Sequence, residues 1–239
     1  MYLELRNVSF SYGQNMILRD INFGINRGEI TGLIGANGAG KTTTIYNIVK
    51  RLKPNHGKIF IDGKDLISIP RSGLEISYIP DEPVYYEELT LIEHLNFVQA
   101  LYPENKIDIN EIIRRLNLEE HLYKIPSMLS KGTLQKMLIA ISMLRTHKLL
   151  IADEPFNGLD PQQINEFKSF LLEEKAQGKG VLISTHLLDL VEGLCDKYVM
   201  LDSGTILAYG TKSDIIRKFD LNPNSTLEKV YLSLIKERM

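Results

Sequence analysis

The sequence holds a single cysteine, Cys195, and no tryptophan. One cysteine excludes an intrachain disulfide and argues against a cysteine-based metal site, a usage that fits a reducing compartment. Long apolar runs are lacking as well: the longest unbroken one, residues 137–141, has five residues, against the ~20 that a membrane-spanning helix needs. The first residues alternate as a strand does, without a basic stretch leading into an apolar one, so no secretory signal is expected and the chain is expected in the cytoplasm. An excess of either charge is missing too. With 28 Lys and Arg against 30 Asp and Glu the formal net charge is −2, so no long-range field favours a polyanion and no nucleic-acid partner is expected. What is present, 44% hydrophobic and 24% charged residues over a chain of 239, excludes collagen-like, low-complexity and disordered classes. It fits one large domain, or one domain with a subdomain.

Residues 2–80 read as strands around Leu3, Leu5 and Val8, around residues 30–34, and around residues 58–61 ahead of the turn dipeptide Asp62-Gly63. One helix interrupts them, opening at Lys41 with Ile45, Ile48 and Val49 at helical spacing. From about 87 to 147 the texture turns helical, starting with the capping box Thr90-x-x-Glu93. Strand and helix then alternate: an apolar strand at 149–152, a helix opening at Asp160-Pro161, a strand at 181–183, a helix over 187–194, and a hairpin at Ser203-Gly204. At the end, Ser225-x-x-Glu228 predicts a capped helix with Leu227, Val230, Tyr231 and Leu234 on one face. The expected organisation is a core of 1–86 and 148–221, a helical insert of 87–147 and a C-terminal helix of 222–239.

Gly35-Ala36-Asn37-Gly38-Ala39-Gly40-Lys41-Thr42 matches the phosphate-binding loop G-x-x-x-x-G-K-[ST], with a strand before it and a helix after it. The glycines let backbone N–H groups converge on phosphate oxygens, and the helix N-terminus adds positive potential. Lys41 reaches the β- and γ-phosphates, and the Thr42 hydroxyl suits Mg²⁺. Average residue usage produces this pattern by chance in roughly one chain in a hundred of this length. The apolar run Leu149-Leu150-Ile151-Ala152 ends in Asp153-Glu154, where the first carboxylate would hold Mg²⁺ through water and the second polarise an attacking water. Together these predict nucleotide hydrolysis, with the strand of Asp153 expected beside the phosphate loop.

With these motifs in place, residues 1–215 resemble the ATP-binding cassette (ABC) ATPases. Leu129-Ser130-Lys131-Gly132-Thr133-Leu134-Gln135 is similar to the family's signature loop, in which Ser130 and Gly132 would contact the γ-phosphate held by a second subunit. The resemblance gives Tyr12 the place of the aromatic that stacks on adenine. It puts Asp160, in Asn157-Gly158-Leu159-Asp160, in the loop linking two sites, and makes His186 the switch histidine at the γ-phosphate. The expected phosphate contacts are Gly35, Asn37, Gly38, Gly40, Lys41, Thr42 and Thr43; the expected catalytic residues are Glu154, His186 and Lys41. Mg²⁺ would fall to Thr42, Asp153 and Asp81, the last standing where the family usually has Gln. The added charge of Asp81 would alter metal affinity or neighbouring pKa values. This departure, with Lys131 and Thr133 in the signature, resembles cassettes of ABC-2-like and Ecs-like exporters.

The resemblance implies an α/β P-loop NTPase (RecA-like) core with an N-terminal antiparallel β subdomain and an inserted α-helical subdomain. It also implies ATP and Mg²⁺ as cofactors, a second ATPase subunit as homo- or heterodimer partner, and a separate transmembrane permease. The permease would hold the chain at the inner face of the membrane, with Tyr85, Tyr86 and Leu89 as candidate contacts. Two other readings compete. A soluble ATPase of the same family working on DNA or ribosomes is disfavoured by the single short cassette and its acidic balance, and a regulator without hydrolysis is motivated by Asp81 and Thr133. The pattern Asn105-Lys106-Ile107-Asp108 matches a guanine-specificity motif but follows Tyr102-Pro103 in a loop rather than a buried strand.

Overall fold

The computed structural model describes residues 1–103, 105 and 107–236. Lys106 of the guanine-type motif and residues 237–239 of the expected C-terminal helix lie outside them. The chain opens with antiparallel strands β1 (Leu3–Tyr12) and β2 (Asn15–Ile25), then β3 (Ile30–Ile34) and α1 (Lys41–Ile48), followed by β4 (His56–Ile61), β5 (Lys64–Asp65) and β6 (Ile76–Ile79). Helices α2 (Leu91–Leu101), α3 (Ile109–Arg115) and α4 (Lys131–Met143) follow. The alternation resumes with β7 (Leu149–Asp153), α5 (Pro161–Ala176), β8 (Gly180–Thr185), α6 (Leu188–Val191), the hairpin β9 (Lys197–Asp202) and β10 (Thr205–Gly210), α7 (Lys212–Lys218) and α8 (Leu227–Lys236).

Two sheets result. The first is antiparallel in the order β2-β1-β4-β5; the second runs β10-β9-β3-β8-β7-β6, parallel except for the β9–β10 hairpin. Strands β3, β7 and β8 are buried along their whole length, as a sheet covered on both faces requires. Period-two alternation divides their side chains between two cores. Leu33, Leu149, Ile151, Leu182, Val199 and Leu201 pack toward α1 and the antiparallel sheet. Ile30, Ile34, Leu150, Ala152, Val181, Ile183 and Met200 pack toward the helices of the insert and of the C-terminal half. The architecture is therefore the expected α/β cassette.

Local chemistry sets most boundaries. Asp62 and Gly63 both have positive φ (49° and 76°), as do Ser203 and Gly204 (45° and 75°), the type I′ geometry that matches strand twist in a tight hairpin. Thr90 and Glu93 form the reciprocal capping box on α2, and Asp160 with Gln163 forms another on α5. The strand of Asp153 ends beside the phosphate loop as expected, although β8 runs between β3 and β7: Glu154, directly after β7, pairs with Lys41. Two expectations need correction. The helix over 187–194 shrinks to α6, because the chain leaves helical geometry at Glu192 (ψ 125°) ahead of Gly193 in the left-handed region. The cap of α8 is Thr226, whose hydroxyl accepts from Lys229 N–H at 3.3 Å, while the Leu227 N–H at its first turn donates to Glu192.

Candidate active site

The loop between β3 and α1 is shaped by close packing at two glycines. A Cβ on Gly35 would lie 2.4 Å from the Leu201 carbonyl oxygen, and one on Gly40 2.7 Å from Leu18 Cδ2. Gly40 is also the N-cap of α1, with φ 106° and ψ 8° in left-handed space where a side chain is strained. The α1 N-terminus so placed points its free N–H groups into a cavity of about 300 Å³, the setting that favours an anion. That cavity is lined by Tyr12, Ile17, Asn37, Gly38, Gly40, Lys41, Thr42, Thr43, Asp81 and Glu154. Nine of these ten are residues the sequence nominates. Ile17 is the exception, and nothing in the motif signals it.

Lys41 is almost fully buried, its Nζ donating to the Gly35 and Ala36 carbonyls at 2.9 and 3.3 Å and pairing with Glu154 Oε1 at 3.0 Å. The other Glu154 oxygen accepts from the His186 backbone N–H at 3.3 Å and meets His186 Nδ1 at 3.0 Å. Glu154 thus sits between the lysine of the loop and the histidine after β8. Its own backbone is in left-handed space at φ 46°, although Pro155 follows, a position that favours extended geometry. Its N–H donates to Ser184 carbonyl and hydroxyl oxygens at 3.0 and 3.1 Å. Such a conformation costs about 1–3 kcal/mol and is typical of functional sites; here it accompanies the carboxylate's placement in the cavity.

Asp153 is wholly buried. Ser184 Oγ donates to its Oδ1, whereas its Oδ2 has no hydrogen-bond partner. Burial raises its pKa, the Ser184 and Thr42 hydroxyls oppose the rise, and the charges of Asp81 and Glu154 add to it. Thr42, Asp81 and Asp153 line a second cavity of about 250 Å³ beside the first. A buried carboxylate oxygen without a partner, beside a threonine hydroxyl, fits a divalent cation. Among the described residues no three His, Cys, Asp or Glu side chains converge on one centre, so a cation here would complete its shell with phosphate and water oxygens. Asp81 accepts from Asn157 Nδ2 at 3.1 Å, tying the loop after β6 to the loop before α5.

Because the folded-state pKa of Asp153 lies above the unfolded one, ionisation opposes folding. Its contribution worsens as pH rises through the carboxylate range and stays unfavourable at neutral pH. Asp153→Asn is therefore expected to raise the unfolding midpoint of the protein alone by about 2–4 °C, the change that ~1 kcal/mol makes at this chain length. The same variant should lose the Mg²⁺-dependent part of the stabilisation given by ATP. Calorimetry with and without MgATP checks both, and a lower midpoint for the variant alone would reverse the sign argued here. For His186→Ala we expect hydrolysis to fall about tenfold or more, the scale of one hydrogen bond to a charged group. Steady-state phosphate release decides this, and wild-type activity would remove His186 from the site.

Ser130, Gly132 and Asp160 do not line either cavity. Ser130 caps α4, accepting from Thr133 N–H at 3.1 Å. Gly132 packs where a Cβ would meet Gln163 Oε1 at 2.7 Å, and Asp160 caps α5. Tyr12 is half-exposed at the cavity rim, its ring edge-on to Phe10 at 4.8 Å. In the guanine-type motif, Asn105 bonds the Leu144 carbonyl and the Thr146 hydroxyl and Asp108 caps α3, so both serve the helical region.

The sequence model described as "ABC transporter" matches residues 18–157. The ABC-type transporter ATP-binding protein EcsA of Bacillus subtilis is 37% identical over 98% of this chain and 97% of its own length. The lipopolysaccharide export system ATP-binding protein LptB of Haemophilus influenzae is 31% identical over 96% of each chain. Among solved structures, an ATP-binding subunit of an ABC transporter superposes with a TM-score of 0.91 at 39% identity, covering 98% of this chain and all of that one.

Proposed function

We propose, for a chain that belongs to the ABC transporter family and is one of its ATP-hydrolysing subunits, that it works as a dimer with ATP at the interface and drives export by a separate membrane-spanning permease. The observation that carries the hydrolytic reading is the meeting of Lys41 and His186 on the buried carboxylate of Glu154. In this reading the N–H groups of residues 38–43 hold phosphate oxygens, with Gly35 and Asn37 shaping the loop, and Tyr12 stacks on the adenine. A γ-phosphate competes for the Lys41 ammonium, which frees Glu154 to accept a proton from the attacking water. His186 keeps that carboxylate oriented and senses the γ-phosphate. Thr42 and Asp153, with Asp81 at the rim, would hold Mg²⁺, which neutralises phosphate charge. Ser130 and Gly132, outside the cavity of their own chain, act on the nucleotide of the second subunit, with Asp160 in the loop between the sites.

The permease reading draws support from a groove of about 370 Å³ between β6, the end of α1 and helices α2 and α4. It is lined by Leu74, Ile76, Val98, Leu101 and Ile141, with Arg51, Arg71 and Arg145 among them. An apolar trough edged by cations suits an amphipathic helix with acidic ends. Tyr85, Tyr86 and Leu89 are not among its lining residues; the exposed Tyr86 packs edge-on to Phe97 at 5.6 Å. No helix among the described residues is long and apolar enough to cross a membrane, so the spanning part is assigned to the partner. Export rests on likeness to a subunit named for export and on the Asp81, Lys131 and Thr133 variation.

The test is purification of the tagged chain from gently solubilised membranes. A stoichiometric polytopic protein is expected, and Leu101→Asp, on an exposed groove position, should lose it while retaining ATP binding. Recovery with ribosomal or nucleoid proteins alone would favour the soluble alternative, and unchanged recovery with Leu101→Asp would move the docking surface elsewhere.

A further inference from the structure

The start of the phosphate loop is held by a residue that no motif marks. Tyr231, on the buried face of α8 with Leu227, Val230 and Leu234, sends its hydroxyl between the phosphate loop and β9: it accepts from the Ala36 N–H at 3.1 Å and donates to the Leu201 carbonyl at 3.1 Å. That carbonyl is the one against which Gly35 packs too tightly for a Cβ. The hydroxyl therefore pins the first turn of the loop to the end of β9. Among the described residues, the one other side chain from outside the loop that hydrogen-bonds residues 35–40 is local: Thr44 Oγ1 of α1 donates to the Gly40 carbonyl at 2.9 Å, at the far end of the loop. From within it, Lys41 Nζ grips the Gly35 and Ala36 carbonyls, but a lysine that turns to phosphate gives up part of that grip. One turn earlier, α8 is fixed by the Leu227 N–H on Glu192, a residue that Lys212 also holds at 2.6 Å and that directly follows α6. Helix α8 thus joins the phosphate loop to the segment that begins at His186.

We propose that Tyr231 is a positioning residue for nucleotide binding, its hydroxyl fixing the loop's first turn so that the downstream N–H groups face phosphate before ATP arrives. The proposal rests on residues 35–43 being the phosphate site. Preorganisation of this kind acts on affinity, because an unpinned glycine-rich loop must be ordered by the ligand.

Tyr231→Phe keeps the ring and removes only the hydroxyl. Its Kd and KM for MgATP are expected to rise about three- to tenfold, the scale of one hydrogen bond, with kcat within about twofold. Amide exchange at Ala36 should quicken while that of β3 stays as in the wild type. Tyr231→Leu, which also removes the ring, should show the same weaker binding together with a lower unfolding midpoint. An unchanged Kd and unchanged Ala36 exchange in Tyr231→Phe would overturn the proposal, whatever the midpoint does. Lys41→Ala run alongside separates the two failures: if it too binds MgATP as the wild type does, the phosphate-loop reading is at fault.

Discussion

Glu154→Gln is expected to bind MgATP with near wild-type affinity and to hydrolyse it about 10²–10⁴ times more slowly, the range attributed to a positioned general base. Glutamine has the shape of the residue it replaces. With its carbonyl toward Lys41 Nζ and its amide nitrogen toward His186 Nδ1, both side-chain contacts of Glu154 at 3.0 Å have a counterpart. Positive φ is no harder for Gln than for Glu, so the Ser184 anchoring of the backbone persists. What disappears is the ability to take a proton from water, together with the long acceptance from the His186 backbone N–H at 3.3 Å, which an amide nitrogen in that place cannot make. Single-turnover phosphate release, set beside equilibrium binding of a fluorescent ATP analogue, measures the two quantities separately. A second consequence follows if two chains share the nucleotide: blocked hydrolysis with intact binding should let an ATP-bound dimer accumulate, visible by size-exclusion with light scattering. Near wild-type turnover would show that another group takes the proton.

How much of this was readable in the chain depends on distance along it. The loop of residues 35–42, the carboxylates 153 and 154 and the two hairpin dipeptides are local patterns: the dipeptides form tight turns, and the loop and the carboxylates line two adjoining cavities. The helix starts at Thr90 and Asp160 were readable for the same reason, since a cap and its partner stand three residues apart. What was hidden depends on pairing remote segments. That β8 separates β3 from β7 follows from sheet order, which strand-by-strand patterning does not encode. The Ser184 bridge to Asp153 is a consequence of that order. Ile17 joins the cavity through the sheet geometry that brings β2 over the loop, and Tyr231 reaches Ala36 from 195 residues away. The cap of α8 falls one residue past Ser225, which local rules favour with Glu228 three residues on; the Glu192 carboxylate that takes the Leu227 N–H is remote in sequence and is seen only in the fold.

Lys41→Ala is expected to weaken MgATP binding about ten- to a hundredfold, the loss of a charge-assisted contact of about 1.5–3 kcal/mol. It should also destabilise the protein in the absence of nucleotide. Glu154 is 8% exposed, and without the ammonium its carboxylate keeps only the contacts from His186. An ionised group deprived of its partner in such a place costs about 1–3 kcal/mol, a fall of several degrees in the unfolding midpoint at this size. The sign can be isolated with a second substitution. If the penalty is the stranded charge, Lys41→Ala with Glu154→Gln should be more stable than Lys41→Ala alone, because the neutral amide needs no cation, and the two changes should fail to add. Denaturant unfolding of the four proteins closes this cycle. Additive losses would mean that the 3.0 Å approach of Lys41 and Glu154 carries no coupling energy, and the competition between Glu154 and a γ-phosphate for Lys41 would then have no energetic basis.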